Sequence, residues 1–165
     1  MRTVFLLLVA SLALAAPLSA QAGEGERALR ITATNVTAEA AGRDAAAEAI
    51  LPGDLVEYRL TFTNLQEVAV QDVVFENPLT NGLVRVLGTA EVDREGVRID
   101  YSIDGGTTWS SAPEVEVVEG GTSVRRPAPA AAYTHVRWTI TDPVAPGDRV
   151  VARFRATAGS GAQDG

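Results

Sequence analysis

Cysteine and lysine are both missing from this 165-residue sequence, and histidine and methionine occur once each. Without cysteine there is no disulfide and no lipid-modified cysteine at a cleavage site. One histidine and no cysteine leave a zinc site dependent on carboxylates alone, an unusual donor set. A serine triad would have to use His135, and no G-x-S-x-G elbow accompanies it. Positive charge is also scarce. The formal balance is −7, which disfavours nucleic acid and anionic membrane surfaces as partners. All the basic residues are arginines, a bias that reads as GC-rich coding rather than chemistry. After residue 16 no apolar run approaches the roughly 20 residues that span a bilayer.

What is present begins with a leader. Arg2 supplies a short positive region, Val4 to Ala16 is apolar, and Pro17 interrupts any helix there. Ala20-Gln21-Ala22 offers a small-x-small cleavage site, with the cut expected after Ala22. Residues 1–22 are therefore expected to be a signal peptide, and the mature protein to be periplasmic or extracellular. Cysteine is usual in eukaryotic secreted domains of this size, so its absence tilts the origin toward bacteria. Residues 23–28 read as a flexible N-terminus and 159–165 as a disordered tail. Residues 29–158 are long enough for one self-sufficient core.

The remainder alternates with period two. Val56, Tyr58, Leu60 and Phe62 lie on one face of a strand, opposite Glu57, Arg59, Thr61 and Thr63. The same pattern recurs with Val97, Ile99, Tyr101 and Ile103, with Val136, Trp138 and Ile140, and with Val150, Ala152, Phe154 and Ala156. Residues 68–76 read as a further strand, and Leu83 to Val92 as a bent strand or a pair. Residues 38–50 read as a loop with one helical turn, and 122–132 as a Pro/Ala loop. Turn signals at Pro52-Gly53-Asp54, Asn81-Gly82, Asp104-Gly105-Gly106, Gly120-Gly121 and Pro146-Gly147-Asp148 punctuate the strands. About seven to nine strands without an amphipathic helix make an all-β antiparallel sandwich or barrel. The expected core face holds Tyr58, Phe62, Ile99, Tyr101, Trp138 and Phe154.

The order of these features resembles the conserved-repeat domain of bacterial envelope proteins, also called domain of unknown function eleven. The matching residues are Pro52-Gly53-Asp54 with Tyr58, Phe62-x-Asn64, Val73 to Pro78, Asn81-Gly82, Tyr101 to Trp109, Val136-Arg137-Trp138 and Ala145-Pro146-Gly147. Together they cover roughly residues 50–158. The resemblance implies an immunoglobulin-like sandwich, here without a disulfide. It also implies a role in spacing, adhesion or envelope structure, with no catalytic residue and no cofactor. The single copy departs from the tandem arrangement of the family. With no lysine, Lys–Asn isopeptide crosslinking is impossible.

Two groups of residues stand out. Ser102, Asp104, Gly106, Thr108 and Trp109 match the Asp-box S-x-D-x-G-x-T-W, a structural hairpin in which the carboxylate accepts backbone N–H bonds across a turn. Arg137, Arg153 and Arg155 point outward on the last two strands. Were those strands neighbours, they would form a docking stripe for an anionic partner. Asp93, Asp100 and Asp104 could gather at one end of the sheet, but no EF-hand spacing supports a calcium site, so no metal is expected. These features point to an exported, non-enzymatic structural or interaction module that contacts another envelope or secreted protein. The alternative is a carbohydrate-binding domain using Trp109. A hydrolase with dispersed carboxylates ranks below both.

Overall fold

The computed structural model describes residues 28–45, 49–79 and 82–159, together with the backbone of Leu6–Leu7. The expected cleavage site, most of the expected leader, the stretch 23–27 and the tail beyond Gly159 lie outside the described residues. Among the described residues, no helix is long and apolar enough to cross a membrane.

The chain folds as an all-β sandwich. Its strands in order are β1 (Leu6–Leu7), β2 (Leu29–Asn35), β3 (Leu55–Thr63), β4 (Val73–Pro78), β5 (Leu83–Arg85), β6 (Glu91–Val92), β7 (Val97–Ser102), β8 (Glu114–Glu119), β9 (Thr122–Pro127), β10 (His135–Ile140) and β11 (Arg149–Ala158). One sheet runs β1-β4-β10-β7. The other runs β2-β3-β11-β5, with β6 also on β11. All pairs are antiparallel except β1 with β4, where Leu6 lies opposite Val74.

The period-two faces meet in the middle. Val73, Phe75, Val136, Trp138 and Ile140 of the first sheet pack on Leu60, Phe62, Val150, Ala152, Phe154 and Ala156 of the second. Aromatic rings join the layers. Trp138 lies 5.9 Å from Phe154 and Phe62 lies 5.9 Å from Phe75, while Tyr58 stacks on Phe154 at 5.0 Å within the second sheet. Tyr58, Ile99 and Tyr101 also belong to the expected core face, but they are only partly buried at its margin.

The turn motifs have local causes. Asp54, after Pro52-Gly53, accepts Leu51 N–H at 2.9 Å and Asn35 Nδ2 at 2.6 Å, and pairs with Arg43 at 3.3 Å. Those contacts, led by the Leu51 amide and then Asn35, hold its carboxyl below the ordinary range. Asn35 in turn caps helix α1 (Val36–Ala40) by accepting Ala38 N–H at 3.0 Å, a preferred N-cap geometry. Asn64 is buried, donates to the carbonyls of Val68 and Val144, and accepts Gln66 N–H. It thus ties the end of β3 to the loop that follows and to the approach to β11.

Two segments differ from expectation. Residues 68–76 do not form one strand. Val70 makes an isolated bridge to Val144, and Asp72 takes a positive φ of 54°, so the ladder starts at Val73. Residues 122–132 are not a loop. Thr122–Pro127 pairs with Glu114–Glu119 across Gly120-Gly121, and a 3-10 turn occupies Ala130–Ala132. Cross-strand pairing with β8 outweighs the low strand propensity that Pro and Ala give this stretch.

Candidate functional site

The outer face of the first sheet carries the most organised polar cluster. Arg137 on the central strand β10 lies directly opposite Glu76 on β4 and Asp100 on β7. Its guanidinium is 3.8 Å from Glu76 and 3.4 Å from Asp100, and Arg98 Nε donates to the same Asp100 carboxylate at 2.8 Å. Trp109 covers this row, with Arg137 4.1 Å from its ring centroid and His135 meeting it edge-on at 6.2 Å. Asp100, held by Arg98 and Arg137, and Ser102, enclosed in the turn that follows it, are buried although they point away from the core. Alternation alone places both in solvent.

The Asp-box residues assemble as a closed turn. Ser102 Oγ donates to Asp104 Oδ1 at 2.7 Å and accepts Gly106 N–H at 2.8 Å. Asp104 also accepts Thr108 Oγ1–H at 2.6 Å and Thr108 N–H at 2.9 Å. These bonds, Thr108 foremost and then Ser102, push the Asp104 carboxyl down to about 2. Gly106 sits at φ 87°, and a Cβ there would meet Trp109 at 3.7 Å and His135 at 3.8 Å. These are ordinary contact distances, so it is the positive φ rather than the space that calls for glycine here. Tyr101 and Ser110 exchange both backbone bonds and close the base. This turn carries Trp109 onto Arg137.

The three arginines do not form one stripe. β10 lies between β4 and β7, whereas β11 lies in the other sheet. Arg153 and Arg155 share their outer face with Arg59, which stands directly opposite Arg153. Each is paired there, Arg153 with Glu91 at 2.8 Å and Arg155 with Glu57 at 2.9 Å. Cross-strand carboxylates meet the arginines on both sheets. The three aspartates also part. Asp93 accepts Val151 N–H at 2.8 Å beside β11, Asp100 serves the arginines, and Asp104 holds its turn.

Two features had no clear signal in the sequence. Arg85 on β5 is 1% exposed, with Nε, Nη1 and Nη2 all lacking a hydrogen-bond partner among the described residues. It lies 3.9 Å above the Tyr101 ring and 5.7 Å from the Tyr133 ring. Burial lowers its pKa from the ordinary value, and Tyr101 opposes that shift. The second feature is the β8–β9 ribbon, a two-stranded sheet that pairs with neither layer of the sandwich. Arg126 forks onto Glu119 at 3.0 and 2.7 Å. Val115, Val117 and Val124 share one half-exposed face, and Val118 on the other is 76% exposed.

No protein family, curated protein or solved structure matches the chain.

Proposed function

We propose that this chain is an exported, non-enzymatic module of the bacterial envelope or secretome that works by protein–protein contact. The β8–β9 ribbon carries the reading. A two-stranded hairpin alone in water is marginally stable. This one presents valines on both faces and joins neither sheet of the sandwich by backbone pairing. Such an element is suited to gaining its burial from another protein. The resemblance of residues 50–158 to an envelope repeat domain of immunoglobulin-like type supports the same conclusion, as does the leader-like start.

The base of the ribbon gives a clean test. Ala128 N–H donates to Pro113 C=O at 2.9 Å, so replacing 114–127 by two glycines joins ends that already touch. Exported protein carrying an affinity tag is used to capture partners from an envelope extract, beside the ribbon-less form checked for a cooperative melt. A partner retained by the intact protein and lost without the ribbon is expected. Recovery of no specific partner, or of the same set by both forms, refutes the reading.

One observation favours carbohydrate binding as a second reading. Half-exposed Trp109 adjoins an open cleft of about 370 Å³ lined by Ser110, Ala112, Glu114, Val115, Glu116 and Arg125. Arg137 already occupies one face of the indole, leaving a single face for a sugar ring. A glycan array that shows no binding, or binding unchanged by Trp109→Ala, removes it.

A further inference from the structure

The edges of the sandwich differ in how they are protected. β4 carries Glu76 and ends at Pro78, whose carbonyl accepts Asn77 Nδ2 at 3.0 Å; its neighbour β1 falls within the leader expected to be removed, so proline and charge are what guard this edge in the exported protein. β7 is bridged at Tyr101 by Ser110. On the far side of β11 lie only the short strands β5 and β6. β2 is different. It is seven residues long, LRITATN, without proline and with Arg30 as its one charge. Long edges with little charge are templates for another strand.

Its outward groups can be identified. β2 pairs with β3 from Leu29↔Phe62 to Asn35↔Val56, and Thr63 N–H donates to Ala28 C=O at 2.8 Å. Hydrogen-bonded pairs alternate along an antiparallel ladder. Arg30, Thr32 and Thr34 therefore turn their backbone groups toward β3, and Leu29, Ile31 and Ala33 turn theirs outward. Among the described residues no strand takes up that outer side.

We propose that β2 pairs antiparallel with β2 of a second copy, about a twofold axis through Ile31. This inference rests on the contact-module reading and names a partner for it. In that register Ile31 faces Ile31 of the second copy, Leu29 faces Ala33, and each outward pair exchanges both backbone bonds. Leu29 and Ile31, which pack at the margin of the core, extend one apolar layer across the junction. Arg30 faces Thr32. Centring one step toward the N-terminus sets Arg30 against Arg30, a repulsive pair. Centring one step toward the C-terminus brings in Asn35, whose side chain caps α1 and whose carbonyl serves the first turn of that helix. Self-complementarity of this kind is what a twofold interface requires.

Sedimentation of the purified exported protein over a concentration series at low salt tests the pairing. Self-association is expected. Thr32→Glu places a carboxylate opposite Arg30 of the second copy twice per dimer and should tighten the dissociation constant by about 2- to 30-fold. Thr32→Arg should weaken it by a similar factor. Ile31→Pro deletes an outward N–H while sparing the β3 ladder, and should leave a monomer with a cooperative melt. If that variant fails to fold, the two Thr32 variants still decide the matter. A native protein that stays monomeric, or Thr32 variants that have no effect or move the constant in one direction, overturns the proposal. Those results leave the ribbon reading to its own capture experiment.

Discussion

Replacing Arg85 by methionine should make the protein more stable, although it deletes a side chain at the junction of the two sheets. The guanidinium is 1% exposed and its three nitrogens have no hydrogen-bond partner among the described residues. Arginine cannot relieve this by releasing its proton. Each unsatisfied buried polar group costs about 1–3 kcal/mol, which puts the penalty at roughly 3–9 kcal/mol. Against it stand the contacts with Tyr101 at 3.9 Å and Tyr133 at 5.7 Å. A desolvated cation–π contact contributes about 2 kcal/mol, and the more distant ring contributes less, so the offset is near 3 kcal/mol. Methionine fills similar volume and keeps a sulfur–aromatic contact. The difference is a gain of up to about 6 kcal/mol, and replacements of buried ionic groups by apolar ones put it nearer about 1–4 kcal/mol. Urea unfolding measures it as a raised midpoint at unchanged m. Arg85→Lys serves as the control, since it keeps the charge, loses the planar stack and should destabilise. A methionine variant less stable than the native protein by about 1 kcal/mol or more would refute the reasoning. It would mean that the guanidinium is satisfied in the folded state.

Further expectations follow from other polar and aromatic groups. Asp104 has a folded pKa of about 2 against an ordinary 3.8, so its contribution is whole above about pH 4 and fades as pH falls through 2; Asp104→Asn should flatten the stability profile across that window in acid-titrated melts. Asn64→Ala strands the carbonyls of Val68 and Val144 and the amide of Gln66 and should cost about 2–4 kcal/mol by urea unfolding. Trp138 is fully buried with its indole N–H unpartnered among the described residues; Trp138→Phe should cost less than about 1.5 kcal/mol, and Trp138→Ala about 3–5 kcal/mol. Trp109→Ala uncovers Arg137 and should cost no more than about 1 kcal/mol, with near-UV circular dichroism reporting the lost indole packing.

Much of this architecture was legible from residue order. Period-two alternation identified the inner faces of β3, β7, β10 and β11 because a strand's pleat repeats every two residues wherever it lies in the sheet. The Asp-box turn was equally legible, since all its bonds run between residues 102 and 108. Asp72 broke an apparent strand because a positive φ at an aspartate has no local apolar signal. Residues 122–127 carry no strand signal of their own because their strand forms only in answer to β8.

The site divides along the same line. Trp109, Asp104 and Gly106 were identifiable by spacing, and Arg137 by its outward position. Whether Arg137 would lie beside Arg153 and Arg155 or in the opposite layer depended on sheet order, which no local pattern carries. By itself the sequence determined an acidic, cysteine-free, all-β chain, its inward residues and the chemistry of its tight turns. Those properties arise from backbone geometry and contacts a few residues apart. Tertiary structure alone decided which arginines share a face, why Asp100 is buried, that Arg85 lies against two tyrosine rings, and that among the described residues the β8–β9 ribbon and the β2 edge are left open. Each of those depends on two segments far apart in the chain reaching the same place. The free energy that brings them there is the burial of the inner faces, which constrains the outer residues only through where it leaves them.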